Sequence, residues 1–258
     1  MPESVSQEKD QEAMPLLKHL EELRKVIIVS LVAIGVASIG ALFFVDQILA
    51  ILTKPVRDLG HAIVFTAMTE GIFTKFKVAL LAGAVFASPV VLWQFWRFFV
   101  PALYPHEKKY VLRLVPVSIL LFAGGVVFAY FAVFPLAVFF LIKLAGGFEP
   151  MLTISRYFSF TLTFLIPFGL IFEFPLIIYF LSLIGVVTPE WLVRNRKYSI
   201  VSTFILAAIL TPGPDPLSQS IMAAPMLIFY EIGILVAKVV ARKKRARFNE
   251  LASEEGTI

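Results

Sequence analysis

Runs of uncharged, mostly apolar residues as long as a bilayer is thick constrain this chain more than any other feature. Residues 26–45 form the first, twenty residues without a charge. About twenty such residues at 1.5 Å each cross the ~30 Å hydrocarbon layer, where every backbone N–H and C=O must be satisfied within the segment, so the run must be helical. Residues 78–96 meet the same requirement. Residues 114–142 exceed it, and Pro135 is expected to end that membrane helix before the chain runs on outside. Residues 157–183 form the fourth run, residues 198–211 a short fifth, and residues 217–237 a sixth that carries Pro225 and a buried-looking acid, Glu231. Only 16% of the 258 residues are charged, against about 25% in a soluble domain. The expectation is an all-α integral membrane protein of six transmembrane helices. It forms one membrane domain over residues 1–258, with polar, mobile tails at 1–15 and 245–258.

Six spans place both termini on one side. Seventeen of the 23 Lys and Arg fall on that side and six on the other, so the positive-inside rule predicts cytoplasmic termini and a cytoplasmic (inner) cell membrane location. The net charge of +5 is then topology, and nucleic acid is not expected as a partner. Residues 1–25 hold six acids against four bases, unlike a cleavable signal, so the first run is expected to be retained. The fifth run would reach only about 21 Å and must thin the bilayer or be shielded by neighbours. "LTPGPDPLSQ" after it reads as a tight turn, making helices five and six a shallow hairpin. Before it, "TPEWLVRNRK" predicts a short interfacial helix with Thr188 as N-cap, Pro189 at the first helical position and Glu190 in the first turn.

Catalytic patterns are missing from the sequence. The chain has no cysteine and three histidines, His19, His61 and His106, none at metal-ligand spacing. No nucleophile motif or phosphate loop occurs. Neither an enzyme nor a cofactor or metal site is expected. The cytoplasmic face carries more information. In "KHLEELRK", Lys18–Glu22 and Glu21–Arg24 have the spacing of helical ion pairs, and alone they read as a solvated face. In "WRFFVPALYPHEKK", Glu107 is the sole acid, and alone it reads as an exposed loop carboxylate beside Lys108 and Lys109. Together, Glu22 and Glu107 could converge on a cationic ligand. A carboxylate accepts a guanidinium through paired planar hydrogen bonds that an ammonium cannot match. The aromatic rim beside them suits a ligand that is basic first and hydrophobic next, the order of features in a bacterial-type export signal.

With "HLEELRK", "PVRDLG", "FVPALYPHEKK", "FAYFAVFPLA", "FEFP", "LTPGPDPLSQ" and "FYEIG" in this order, the chain resembles the TatC family, the receptor subunit of the twin-arginine protein translocase. Two departures stand out. Val26 replaces a second basic residue common in the family, and the "TPGPD" turn is one residue longer than "TPPD". The resemblance implies a concave, cup-shaped bundle of six helices with short helices five and six. It implies a signal-peptide site at Glu22 and Glu107, supported by Arg24, Phe98 and Tyr104. It also implies single-span TatA/TatB-type subunits as partners, a homo-oligomer within the translocase complex, and export of folded cargo driven by the proton-motive force.

Glu173 stands alone, with sixteen uncharged residues on each side. A charged side chain at mid-span costs roughly 2.5–3.5 kcal/mol on insertion scales, so a neutral acid facing protein or water is expected. Pro167 and Pro175 flank it. As a TatC residue it would be a polar anchor in the concave wall that hydrates or thins the membrane, or contacts a partner's helix. The competing class is an ion-coupled secondary transporter with Glu173 and Glu231 as proton sites. A structural scaffold without signal-peptide binding is the third.

Overall fold

The structure, a computed structural model, describes residues 3–99, 108–146, 151–211 and 216–255. Helices α1 (Glu3–Leu42), α2 (Val45–Arg57), α3 (Glu70–Phe99), α4 (Lys108–Phe128), α5 (Phe134–Ala145), α6 (Ile154–Leu183), α7 (Pro189–Arg194), α8 (Arg196–Leu210) and α9 (Pro216–Glu255) follow in order. Two two-residue strands, β1 (Ile63–Val64) and β2 (Leu152–Thr153), pair in parallel with Ile63 opposite Leu152. Among the described residues, five helical stretches are long and apolar enough to cross a membrane: His19–Leu42, Glu70–Phe99, Arg113–Lys143, Ile154–Leu183 and Pro216–Ala246. With 15 residues, α8 falls short of that length, as the short fifth run predicts. The polar segments within 1–15 and 245–258 continue as helix in α1 from Glu3 and in α9 to Glu255.

The chain packs as two compact units. The first comprises Met1–Ile48 and Lys75–Ile119. Within it, small residues bring α1 and α3 together. Ala41, Ala79 and Ala82 are buried in one cluster against Leu42 and Ile48, and a Cβ added at Gly83 would lie 2.6 Å from the Cα of Ser38. Lipid tails are as apolar as leucine, so helices in a bilayer associate through close backbone packing rather than hydrophobic burial. The Ser38 hydroxyl donates to the Ile34 carbonyl at 2.7 Å, which satisfies it inside its own helix.

The second unit comprises Leu49–Thr74 and Leu120–Ile258. Here Pro55 lies inside α2. Lacking an N–H, it cannot serve the carbonyl four residues back. The Tyr130 hydroxyl donates to that Ile51 carbonyl at 2.6 Å, and Tyr157 donates to the Leu52 carbonyl at 2.5 Å. Two carbonyls of α2 are thus met by hydroxyls from outside the helix.

The expectation that Pro135 ends the third membrane helix is overturned. Residues Ala129–Val133 form a π-helical turn, and the chain continues as α5 with the proline in its first turn. The Phe134 N–H bonds to the Ala129 carbonyl, five residues back. That widened turn accommodates a ring that would otherwise clash with a carbonyl of the preceding turn. Gly125 presses α4 onto α6, since a Cβ there would lie 2.5 Å from the Phe168 carbonyl oxygen. Phe134, Phe158, Phe164 and Phe168 are fully buried around this contact.

The cap predicted for α7 is present. The Thr188 side chain accepts from the Trp191 N–H at 3.2 Å, and Pro189 opens the helix. Tyr230 of α9 donates to the Leu192 carbonyl at 2.7 Å and fastens α7 over a cluster of Ile178, Leu192, Ile234 and Ala237.

Candidate functional site

Glu22, Arg24 and Phe98 belong to the first unit. Glu22 and Arg24 lie on α1 and Phe98 in the last turn of α3. Tyr104 and Glu107 lie outside the described residues. Glu22 is partly exposed, and one carboxylate oxygen stands 3.8 Å from Nδ1 of His19, one turn earlier. The His19 ring stacks on Phe98 with 4.3 Å between centroids and planes 24° apart. The imidazole therefore bridges a carboxylate on α1 to an aromatic side chain on α3. The sequence reading treats His19 only as a histidine without ligand spacing. Its position three residues before Glu22 was the available signal.

Behind Phe98 the aromatics continue. Phe98 meets Phe99 edge-on at 5.5 Å, Phe99 meets Phe95 at 5.1 Å, and Phe95 meets Trp96 at 5.5 Å. Trp96 is buried at 1% exposure, whereas Trp93 and Phe95 reach the surface. The arrangement offers an anionic acceptor beside an apolar ledge.

Arg24 does not join it. Two residues along an α-helix turn the side chain by about 200°, so Arg24 lies on the far side of α1 from Glu22. It lines a shallow groove with Glu21, Lys25 and Ile28. The Glu21–Arg24 pair predicted from spacing is not formed within 4 Å among the described residues, whose ion pairs are His19–Glu22, Lys75–Asp46 and Arg196–Glu231. The Lys18 side chain lies outside the described ones.

The two intramembrane acids separate sharply. Glu173 is buried, at 5% exposure. Glu231 is not the buried acid that its surroundings suggest. It is about half exposed and accepts a hydrogen bond from the Arg196 guanidinium at 2.6 Å. Arg196 opens α8, and its bond to Glu231 of α9 brings residues 35 positions apart to one level. Gln219 near the start of α9 donates to the Phe204 carbonyl of α8 at 2.8 Å and holds the same register. No cluster of three or more His, Asp and Glu side chains that could hold a metal ion occurs among the described residues.

Residues 18–225 match the family model described as Sec-independent protein translocase protein (TatC). The chain is 50% identical to the Sec-independent protein translocase protein TatC of Carboxydothermus hydrogenoformans, over 90% of this chain and 96% of that one. It is 43% identical to the TatC of Aquifex aeolicus, over 90% and 98% respectively. Among solved structures, the twin-arginine translocase receptor TatC superposes with a TM-score of 0.79 at 42% identity, covering 86% of this chain and 99% of that one.

Proposed function

The chain belongs to the TatC family of Sec-independent protein translocase proteins, and from that membership we propose that it is the subunit that receives twin-arginine signal peptides. It is a multi-pass membrane protein of the twin-arginine translocase and not an enzyme. The ion-coupled transporter alternative has no support among these relatives, and Glu231 is engaged by Arg196. Our reading gives the chain six spans, with α8 as the short fifth, and cytoplasmic termini in the inner membrane.

The peptide's arginine pair docks on Glu22 and Glu107, and its apolar part then follows the aromatic ledge that starts at Phe98. What supports this reading is Glu22 seated beside His19, which stacks on Phe98. A guanidinium approaching Glu22 can bond through two N–H groups and lie over the adjacent rings, a combination an ammonium lacks. Glu173 serves as a polar anchor of the membrane wall. TatA/TatB-type single-span subunits assemble with further copies of this chain, and the proton-motive force drives passage of the cargo.

Crosslinking tests the docking step. A photoreactive side chain in place of the exposed Lys25, three residues after Glu22 and on the same face of α1, should capture a twin-arginine signal peptide, and Glu22→Ala should abolish capture. Undiminished capture in the Glu22→Ala chain would overturn the assignment.

A further inference from the structure

Beyond signal-peptide recognition, we propose that a basic pocket between α7 and α9 binds the phosphate headgroup of an anionic phospholipid. The pocket has a volume of about 460 Å³ and is lined by Arg194 of α7 and by Lys238, Arg242 and Arg245 of α9, with Glu190 as its one acid. Positions 238, 242 and 245 share one face of α9, because residues three and four apart on a helix stand above one another. They point at α7 because Tyr230 fastens that helix to α9 through the Leu192 carbonyl.

These bases are not consumed inside the protein. Among the described residues, none of the four takes part in an ion pair. Three positive charges in excess around one cavity repel each other, and an anion between them removes that cost. A cavity of this size falls in the range of small-ligand sites.

Its depth in the membrane selects the kind of anion. Lys238 directly follows the apolar run that ends at the fully buried Ala237. It lies seven residues, about 10 Å, beyond Glu231 along α9. Trp191 on α7 is half exposed, as suits a residue at the membrane–water boundary. Basic pockets at that level, on the cytoplasmic side, hold lipid headgroups. Apolar Pro189, Val193 and Ala241 complete the lining and leave a surface for the glycerol and upper chains.

The test uses the full-length protein reconstituted in vesicles of phosphatidylglycerol and phosphatidylcholine, extracted gently, with its co-purifying lipids quantified by mass spectrometry. Wild type should retain phosphatidylglycerol several-fold above its share of the vesicle. Lys238→Gln with Arg242→Gln should lower that enrichment to the bulk ratio, since each charge is worth about 1 kcal/mol, roughly fivefold. Lys238→Arg with Arg242→Lys keeps both charges and should keep the enrichment, which separates loss of charge from loss of fold. Enrichment that is absent in wild type, or unchanged in the Gln variant, overturns the proposal. So does equal thermal stabilisation of the delipidated protein by inorganic phosphate and by phosphatidylglycerol at the same phosphate concentration, since the pocket would then take free anions.

Discussion

The close approach of α1 and α3 should make one glycine in the first unit irreplaceable and leave another free. At Gly83 an added Cβ would stand 2.6 Å from both the Cα and the N of Ser38. An ordinary carbon–carbon contact is about 3.5–4.0 Å, so the helices would have to part by roughly 1 Å. That separation would loosen the cluster of Ala41, Ala79 and Ala82 beside it. Overpacking of this kind costs roughly 1–3 kcal/mol. At Gly40, in α1, an added Cβ would meet nothing within 4 Å. Replacing a helical glycine by alanine gains up to about 1 kcal/mol of helix propensity at either site, so that contribution cancels when the two variants are compared. Gly83→Ala should therefore melt below Gly40→Ala by roughly 3–10 °C, read by fluorescence-detected size-exclusion chromatography after heating in detergent. Ser38→Ala should not restore Gly83→Ala, because the obstructing atoms include backbone that alanine keeps. Equal melting temperatures for the two glycine variants would refute the packing argument.

Other expectations follow from single contacts. His19→Ala removes the ring between Glu22 and Phe98 and should weaken signal-peptide binding by roughly three- to tenfold, the worth of one aromatic pair, while leaving the melting temperature within a degree or two. Tyr157→Phe removes the buried hydroxyl's hydrogen bond to the Leu52 carbonyl and should destabilise the protein by about 0.5–1.5 kcal/mol; no change in an unfolding titration would contradict the role given to that hydroxyl. Glu231→Gln breaks a half-exposed ion pair, worth no more than about 1 kcal/mol. Export of a reporter cargo should continue near the wild-type rate, whereas a proton-carrying glutamate would stop it.

What the sequence discloses here depends on distance along the chain. The long apolar runs are legible because bilayer thickness fixes their length, and the α7 cap is legible because Thr188, Pro189 and Glu190 act within one turn. Helix α2 is not, because its Pro55 removes a donor from the helix's own hydrogen bonding. Two of its carbonyls are met by hydroxyls 79 and 105 residues away. The effect of Pro135 turned on a shift from four-residue to five-residue hydrogen bonding that no composition signals. Glu173 and Glu231 look alike as lone acids in apolar runs, and only the meeting of α8 with α9 gives one of them an arginine. Within the site, Glu22 and Phe98 were named from sequence, but His19 between them required the packing of α1 against α3. The distance of Arg24 from Glu22 required only helical geometry, which the family resemblance obscured.

Signal recognition by paired carboxylate–guanidinium contacts is tested most directly by peptide binding to the detergent-solubilised chain. Wild type, Glu22→Gln and Glu107→Gln would each be titrated with a twin-arginine signal peptide and its twin-lysine analogue. A charged hydrogen bond is worth roughly 1.5–3 kcal/mol, so wild type should prefer arginine by at least about tenfold. Each Gln variant should lose most of that preference. Equal affinity of wild type for both peptides, or a preference that survives in both variants, would contradict it.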